Sequence, residues 1–305
     1  MTDRPWLPEH PVGAALAASL VARQFPAVAA ASPVPVHEGQ GFDNDVWRFG
    51  PVAFRFPRRA IAVRLIASEI AALPWLAGQL PVPIPAPAFV GRPSPEFPHP
   101  VYGHPDLPGT TADRLGLGAA GRGAIAPDLG RFLRALHAID PAEAAARGVR
   151  PDDFRGDTTG RSAKVLPQLA RFESTPWAER VGAMAARLGA PPAPETRDVV
   201  VLHGDVYARH LLVGPDGRLA GVIDWGDVCL GDRAVDLAAA YTFLPASARD
   251  AFWAAYGPVD AATRERARFL ALARHGFYLP LYALDVGDAP LLAEAGVVLG
   301  HVLED

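Results

Sequence analysis

Two histidines and two aspartates with the makings of a reactive site fall close together in the second half of the chain: His203-Gly204-Asp205, then His210, then Ile223-Asp224-Trp225. Transfer of a terminal phosphoryl group to a hydroxyl needs such a set. The acceptor hydroxyl must be oriented and lose its proton, and a divalent cation must bridge the phosphates and neutralise developing charge. A carboxylate on a loop meets the first need, and a second carboxylate with one further ligand meets the second. Asp205, His210 and Asp224 supply these three groups. Together with His203 they also read as a ligand set for a metal-dependent hydrolase, in which the metal activates water.

The elements around these residues must bring them together. Val199-Val200-Val201-Leu202 reads as an apolar strand leading into the loop at Asp205. Leu211-Leu212-Val213, the turn Gly214-Pro215-Asp216-Gly217 and the apolar residues 219–223 read as a hairpin that folds Asp224 back beside that loop. His203 by itself is a buried residue that orders the loop. Asp227 either lines an acceptor site or caps a turn. Residues 234 to the C-terminus are helical, with breaks at Gly257-Pro258 and Gly287, and Phe277, Tyr278 and Tyr282 pack that helical region.

Upstream, residues 11–25 have helical spacing, and a strand begins near Val34. The turn-rich stretch 38–45, with Gly39 and Gly41, precedes a β-hairpin over 46–49 and 52–56. Residues 61–76 form a helix carrying Glu69, which Pro74 kinks or ends. The proline-crowded stretch 80–108 predicts short edge strands and an extended connection, with Val101-Tyr102-Gly103-His104-Pro105 as the hinge. Leu129, Phe132, Leu133 and Leu136 mark a helix over 128–139, and weaker helical character runs to about 188.

His-x-Asp, a ligand five residues on and a later metal-binding Asp are the layout of a kinase catalytic loop. Glycine at 204 and Ile223-Asp224-Trp225 resemble the aminoglycoside and macrolide phosphotransferases, as does the segment 231–238. The resemblance covers about 34–237. It implies an α+β, bilobal, protein-kinase-like fold with a small β-rich N-terminal lobe and a larger, mostly helical C-terminal lobe. The expected division is a nucleotide-binding lobe over 1–102, a hinge over 103–108, and a catalytic and acceptor-binding lobe over 109–305. By the same resemblance Asp205 is the catalytic base, His210 and Asp224 hold Mg2+, and Asp236 braces the catalytic loop. Gly39 and Gly41 cover the phosphates of ATP or GTP. Arg55 stands where the family has its phosphate-gripping lysine, with Glu69 as its ion-pair partner, and Tyr102 and His104 lie near the nucleotide base. His210 replaces the commoner asparagine, as in the macrolide branch; imidazole suits softer metals better than magnesium.

These residues lead to a cytoplasmic, nucleotide-dependent kinase acting on a small-molecule hydroxyl, with a macrolide or aminoglycoside antibiotic as the candidate acceptor, and working as a monomer or homodimer. A metal-dependent hydrolase and a non-catalytic nucleotide-binding module are the alternatives. Composition fits a packed protein of 305 residues, 50% hydrophobic and 20% charged. A net charge of −4 gives no basic field for a nucleic-acid partner. No apolar run is long enough for a membrane span, the N-terminus lacks a signal-peptide layout, and the lone Cys229 precludes an intrachain disulfide. Residues 264–303 carry few carboxylates, which leans towards an uncharged or bulky apolar acceptor such as a macrolide.

Overall fold

The computed structural model describes residues 9–29, 31–36, 43–193 and 199–304. Gly39 and Gly41 lie outside the described residues. The chain divides into two compact units, one of Met1–Gly78 with Ile84–Leu107 and one of Gln79–Pro83 with Pro108–Asp305.

The first unit contains α1 (Ala14–Gln24), β1 (Val34–Pro35), β2 (Asn44–Phe49), β3 (Val52–Pro57), α2 (Ala60–Leu76), β4 (Phe89–Gly91) and β5 (Val101–Pro105). Its strands form one antiparallel sheet in the order β1-β2-β3-β5-β4. Every residue of β3 is buried. Strand alternation sends Phe54 and Phe56 into an aromatic core with Phe49, Phe97 and the apolar face of α1. The neighbouring position, Arg55, pairs across the strands with Tyr102.

One expectation changes here. The segment 101–105, expected as the hinge, is a strand lying between β3 and β4. The prolines that argued for an edge sit outside its ladder or at its end, at Pro98, Pro100 and Pro105. Gly103 allows the close approach of Phe54, whose ring would stand 2.7 Å from a β-carbon there. Helix α2 ends at Leu76, where the sequence reading placed its end, with Pro74 inside its last turn.

The second unit opens with β6 (Thr110–Thr111), α3 (Ala119–His137), α4 (Pro141–Ala146), β7 (Arg150–Pro151), α5 (Thr158–Val165) and α6 (Val181–Leu188). It continues with β8 (Val199–Leu202), β9 (Leu211–Val213), β10 (Leu219–Val222) and β11 (Cys229–Asp232). The helices α7 (Ala234–Leu237), α8 (Ala239–Thr242), α9 (Arg249–Tyr256), α10 (Ala261–Ala271), α11 (Phe277–Val286) and α12 (Ala289–Leu303) complete it. Helix α3 begins well before the expected Asp128, through glycines of poor intrinsic propensity, because its face of Ile125, Leu129, Phe132, Leu133 and Leu136 is wholly buried. Strands β9 and β10 form the expected antiparallel hairpin, and β8 pairs with β11. Residues Leu272–Gly276, between α10 and α11, form a turn of π-helix. No described helix is long and apolar enough to cross a membrane.

Candidate active site

The loop after β8 is held from below. Asp236, on α7 and fully buried, accepts hydrogen bonds from the backbone N–H groups of His203 (2.8 Å) and Gly204 (2.9 Å). His137 Nε2 lies 3.3 Å from the same carboxylate, and its Nδ1 meets the Tyr256 hydroxyl at 2.8 Å. Burial pushes the Asp236 pKa up, but His137, His203 and the backbone donors outweigh it and hold it below the ordinary value.

His203 is fully buried. Its Nδ1 accepts the Asp205 N–H at 3.2 Å, which leaves Nε2–H to donate to the Ile223 carbonyl at 3.0 Å. One neutral ring thus ties the loop to the end of β10. Burial lowers its pKa and keeps that tautomer uncharged. Gly204 has φ +87°, and a β-carbon there would lie 2.4 Å from the Asp227 carbonyl oxygen. Only glycine fits this turn.

Asp205 is gripped from three sides. His275 Nε2 stands 3.0 Å and Arg274 Nη2 3.4 Å from its Oδ1, and His210 Nδ1 3.6 Å from its Oδ2. Burial alone would raise its pKa; the His275 hydrogen bond and the charges around it win, and the carboxyl is held well below its usual range. Burial also lowers the pKa of His275, so that ring donates as a neutral imidazole while Arg274 supplies the permanent charge. The π turn positions both residues, because consecutive side chains of a regular helix diverge by about 100°. Tyr207 lies between the histidines, stacked on His275 at 4.9 Å and edge-on to His210 at 4.4 Å.

His210 and Asp224 come together as the spacing predicted. Nδ1–H of His210 donates to the Asp205 carbonyl at 2.8 Å, which turns Nε2 towards Asp224 Oδ2 at 3.2 Å. Two ligands at neighbouring corners of an octahedron with bonds of about 2.1 Å are about 3.0 Å apart. The pair therefore fits a divalent cation that would replace the proton on Nε2. Burial depresses the His210 pKa, but Asp224 and Asp205 overcome it and raise it, so proton and metal compete for one lone pair. Asp224 has φ +64°, the positive-φ non-glycine residue among those described. Such strain persists where the surroundings impose it.

In the first unit, Arg55 Nη2 lies 3.6 Å from Glu69 Oε1, and the Tyr102 hydroxyl donates to Glu69 Oε2. All three side chains are buried. Glu69 occupies the apolar stripe of α2, where a carboxylate needs partners. His104 Nδ1 meets the Pro105 carbonyl at 2.8 Å, and burial lowers its pKa to about 4.

Sequence reasoning missed Arg274, His275 and Arg155. Arg155 bonds Asp227, whose pKa burial raises to about 6. The signal for the first two was an adjacent Arg and His inside an otherwise apolar helical stretch, Phe269 to Leu281.

The fold is that of the kinase-like phosphotransferases. The chain belongs to the phosphotransferase enzyme family, whose model matches residues 38–270. It is 31% identical to streptomycin 3''-kinase of Streptomyces griseus over 53% of this chain and 56% of that protein. The GDP complex of aminoglycoside 2'-phosphotransferase-IIIa superposes with a TM-score of 0.73 at 20% identity, covering 96% of this chain and 99% of that one. Macrolide 2'-phosphotransferase of Brachybacterium faecium gives a TM-score of 0.61 at 25% identity, covering 94% and 98%. The chain spans 34% to 56% of the length of the curated relatives it matches.

Proposed function

We propose that this protein transfers the γ-phosphoryl group of ATP or GTP to a hydroxyl of a small molecule. The observation that carries this reading is Asp205: an ionised, partly accessible carboxylate held beside the metal-compatible pair His210 and Asp224. The acceptor oxygen would attack the γ-phosphorus, its proton would pass to Asp205, and the bond to the β-phosphate oxygen would break. A carboxylate with so low a pKa is a weak base. It serves chiefly to orient the hydroxyl, and takes the proton late in a loose transition state. Mg2+ bound with the nucleotide would neutralise charge on the phosphates, with His210 and Asp224 as its protein ligands. Two protein donors suit magnesium that arrives on phosphate oxygens, whereas a hydrolytic zinc site takes three or four. Among the described residues no group of three or more His, Cys, Asp or Glu side chains is arranged to hold a metal. Arg55, backed by Glu69 and Tyr102, would hold phosphate oxygens, with His104 towards the base.

The names of the relatives make hydroxylated antibiotics the first acceptors to assay. Asp205→Asn keeps the size of the side chain and removes its charge. It should lower turnover by about 10²- to 10⁴-fold while nucleotide binding persists. Turnover within threefold of wild type would end this reading.

A further inference from the structure

Near Asp205 the second unit gathers arginines. Phe154 is 53% exposed, and two guanidinium groups lie over its ring, that of Arg155 at 4.8 Å and that of Arg161 at 5.1 Å. Arg155 is matched by carboxylates, Asp152 at 3.4 Å and Asp227. The Asp227 backbone presses on Gly204, whose carbonyl accepts from Arg274 Nη2 at 2.5 Å. Arg161 differs from both. It is 9% exposed, its Nε is buried without a hydrogen-bond partner, and its side chain makes no ion pair with any described residue. Its helix α5 packs against the π turn that carries Arg274. Arg274 Nη1 and the Tyr278 hydroxyl are buried without partners as well. Burial, and then the charges of Arg274 and Arg155, lower the Arg161 pKa, with Tyr278 and, more weakly, the Asp152 carboxylate near enough to oppose them.

A buried guanidinium beside two like charges, with no carboxylate of its own, is unfavourable until an anion completes it. A cationic group of an acceptor would be disfavoured beside Arg161, the one guanidinium of the three without an ion pair to a described residue. We propose that the acceptor carries an oxyanion, a carboxylate or a phosphate ester, held by Arg161 with the Tyr278 hydroxyl while the reacting hydroxyl faces Asp205. This rests on the phosphotransferase reading and narrows its acceptor class. Guanidinium suits either oxyanion, since its donors match two oxygens at once.

The test uses full-length protein saturated with Mg2+ and a non-hydrolysable ATP analogue. Hydroxy acids are titrated against their amides, sugar phosphates against the unphosphorylated sugars, and kanamycin serves as the cation. One anionic series should raise the melting temperature and, with ATP, be phosphorylated; which series responds separates carboxylate from phosphate ester. Neutral partners and kanamycin should do neither. Arg161→Gln should raise KM for the anionic acceptor about 10- to 100-fold, and Arg161→Lys should recover part of that loss. Ligand-free Arg161→Met should hold or gain melting temperature, whereas an arginine kept only for packing on Phe154 would leave a less stable protein. The proposal is overturned if no anionic compound shifts the wild type, if neutral or cationic compounds serve as well, or if the Arg161 variants keep the wild-type KM. Asp205→Asn separates the two readings: if it still turns over while anion binding follows Arg161, the phosphotransfer mechanism fails and the anion site stands.

Discussion

Replacing Asp236 with alanine removes the acceptor of three hydrogen-bonding groups at once, the N–H groups of His203 and Gly204 and the ring of His137. The carboxylate is fully buried, so water does not take its place. A buried donor left unpaired costs about 1–3 kcal/mol, and the three share one site, so their losses do not add fully. The expected destabilisation is about 3–5 kcal/mol, which is the range for breaking a buried charged network. At about 2–4 °C per kcal/mol the melting temperature should fall by about 6–20 °C. Asp236→Asn should lose about half as much in free energy, since an amide oxygen satisfies one N–H while its NH2 group faces the other. The pH dependence supplies the sign. The pKa of Asp236 is depressed in the folded state, so its stabilisation is present above the unfolded value near 4 and is lost as pH falls through the folded value. Urea unfolding of wild type and Asp236→Asn should therefore differ most near neutrality and converge in acid. A loss under about 1 kcal/mol for the alanine variant, or a difference that does not change with pH, would refute the bracing role.

Two further outcomes follow from the same geometry. Asp224 and Asp205 raise the His210 pKa above its ordinary value, so a proton competes for Nε2, and apparent Mg2+ affinity in the nucleotide-dependent reaction should rise as pH climbs through the raised value. His210→Asn offers an oxygen that does not titrate, so a Mg2+ titration from about pH 6 to 9 should show a flat affinity; parallel slopes for variant and wild type would contradict this. Gly204→Ala should cost about 2 kcal/mol or more, from a positive φ and a contact on the Asp227 carbonyl, and should abolish phosphotransfer. Denaturation midpoints and turnover measured together would show it, and wild-type behaviour in both would contradict it.

The contacts that the sequence revealed are the local ones. His203, Asp205, His210 and Asp224 lie on one strand-loop-hairpin, where spacing alone brings them together and turn residues announce the reversal. The Arg55–Glu69 pair came from the family resemblance, which sets a cation on the strand against a carboxylate on the next helix. The central place of residues 101–105 in the sheet was not legible because proline density suggested edge strands and an extended connection, while the residues between the prolines fill two ladders. Arg274 and His275 reach Asp205 from about seventy residues downstream. That contact depends on how α10 and α11 pack and on a π turn, neither of which leaves a periodic trace. Arg161 was invisible for a different reason: what sets it apart is a missing partner, and absence of a counter-ion exists only in three dimensions.

The π turn at Leu272–Gly276 makes this helical region one residue longer than its hydrogen-bond ladder needs. Deleting one residue within it would restore a regular helix, and the segment would gain in local order. The same deletion would swing one of its two polar side chains out of reach of the loop. Selection for thermal resistance and selection for turnover would thus pull in opposite directions at this point of the chain, and a lineage freed from its substrate should be the first to lose the surplus residue.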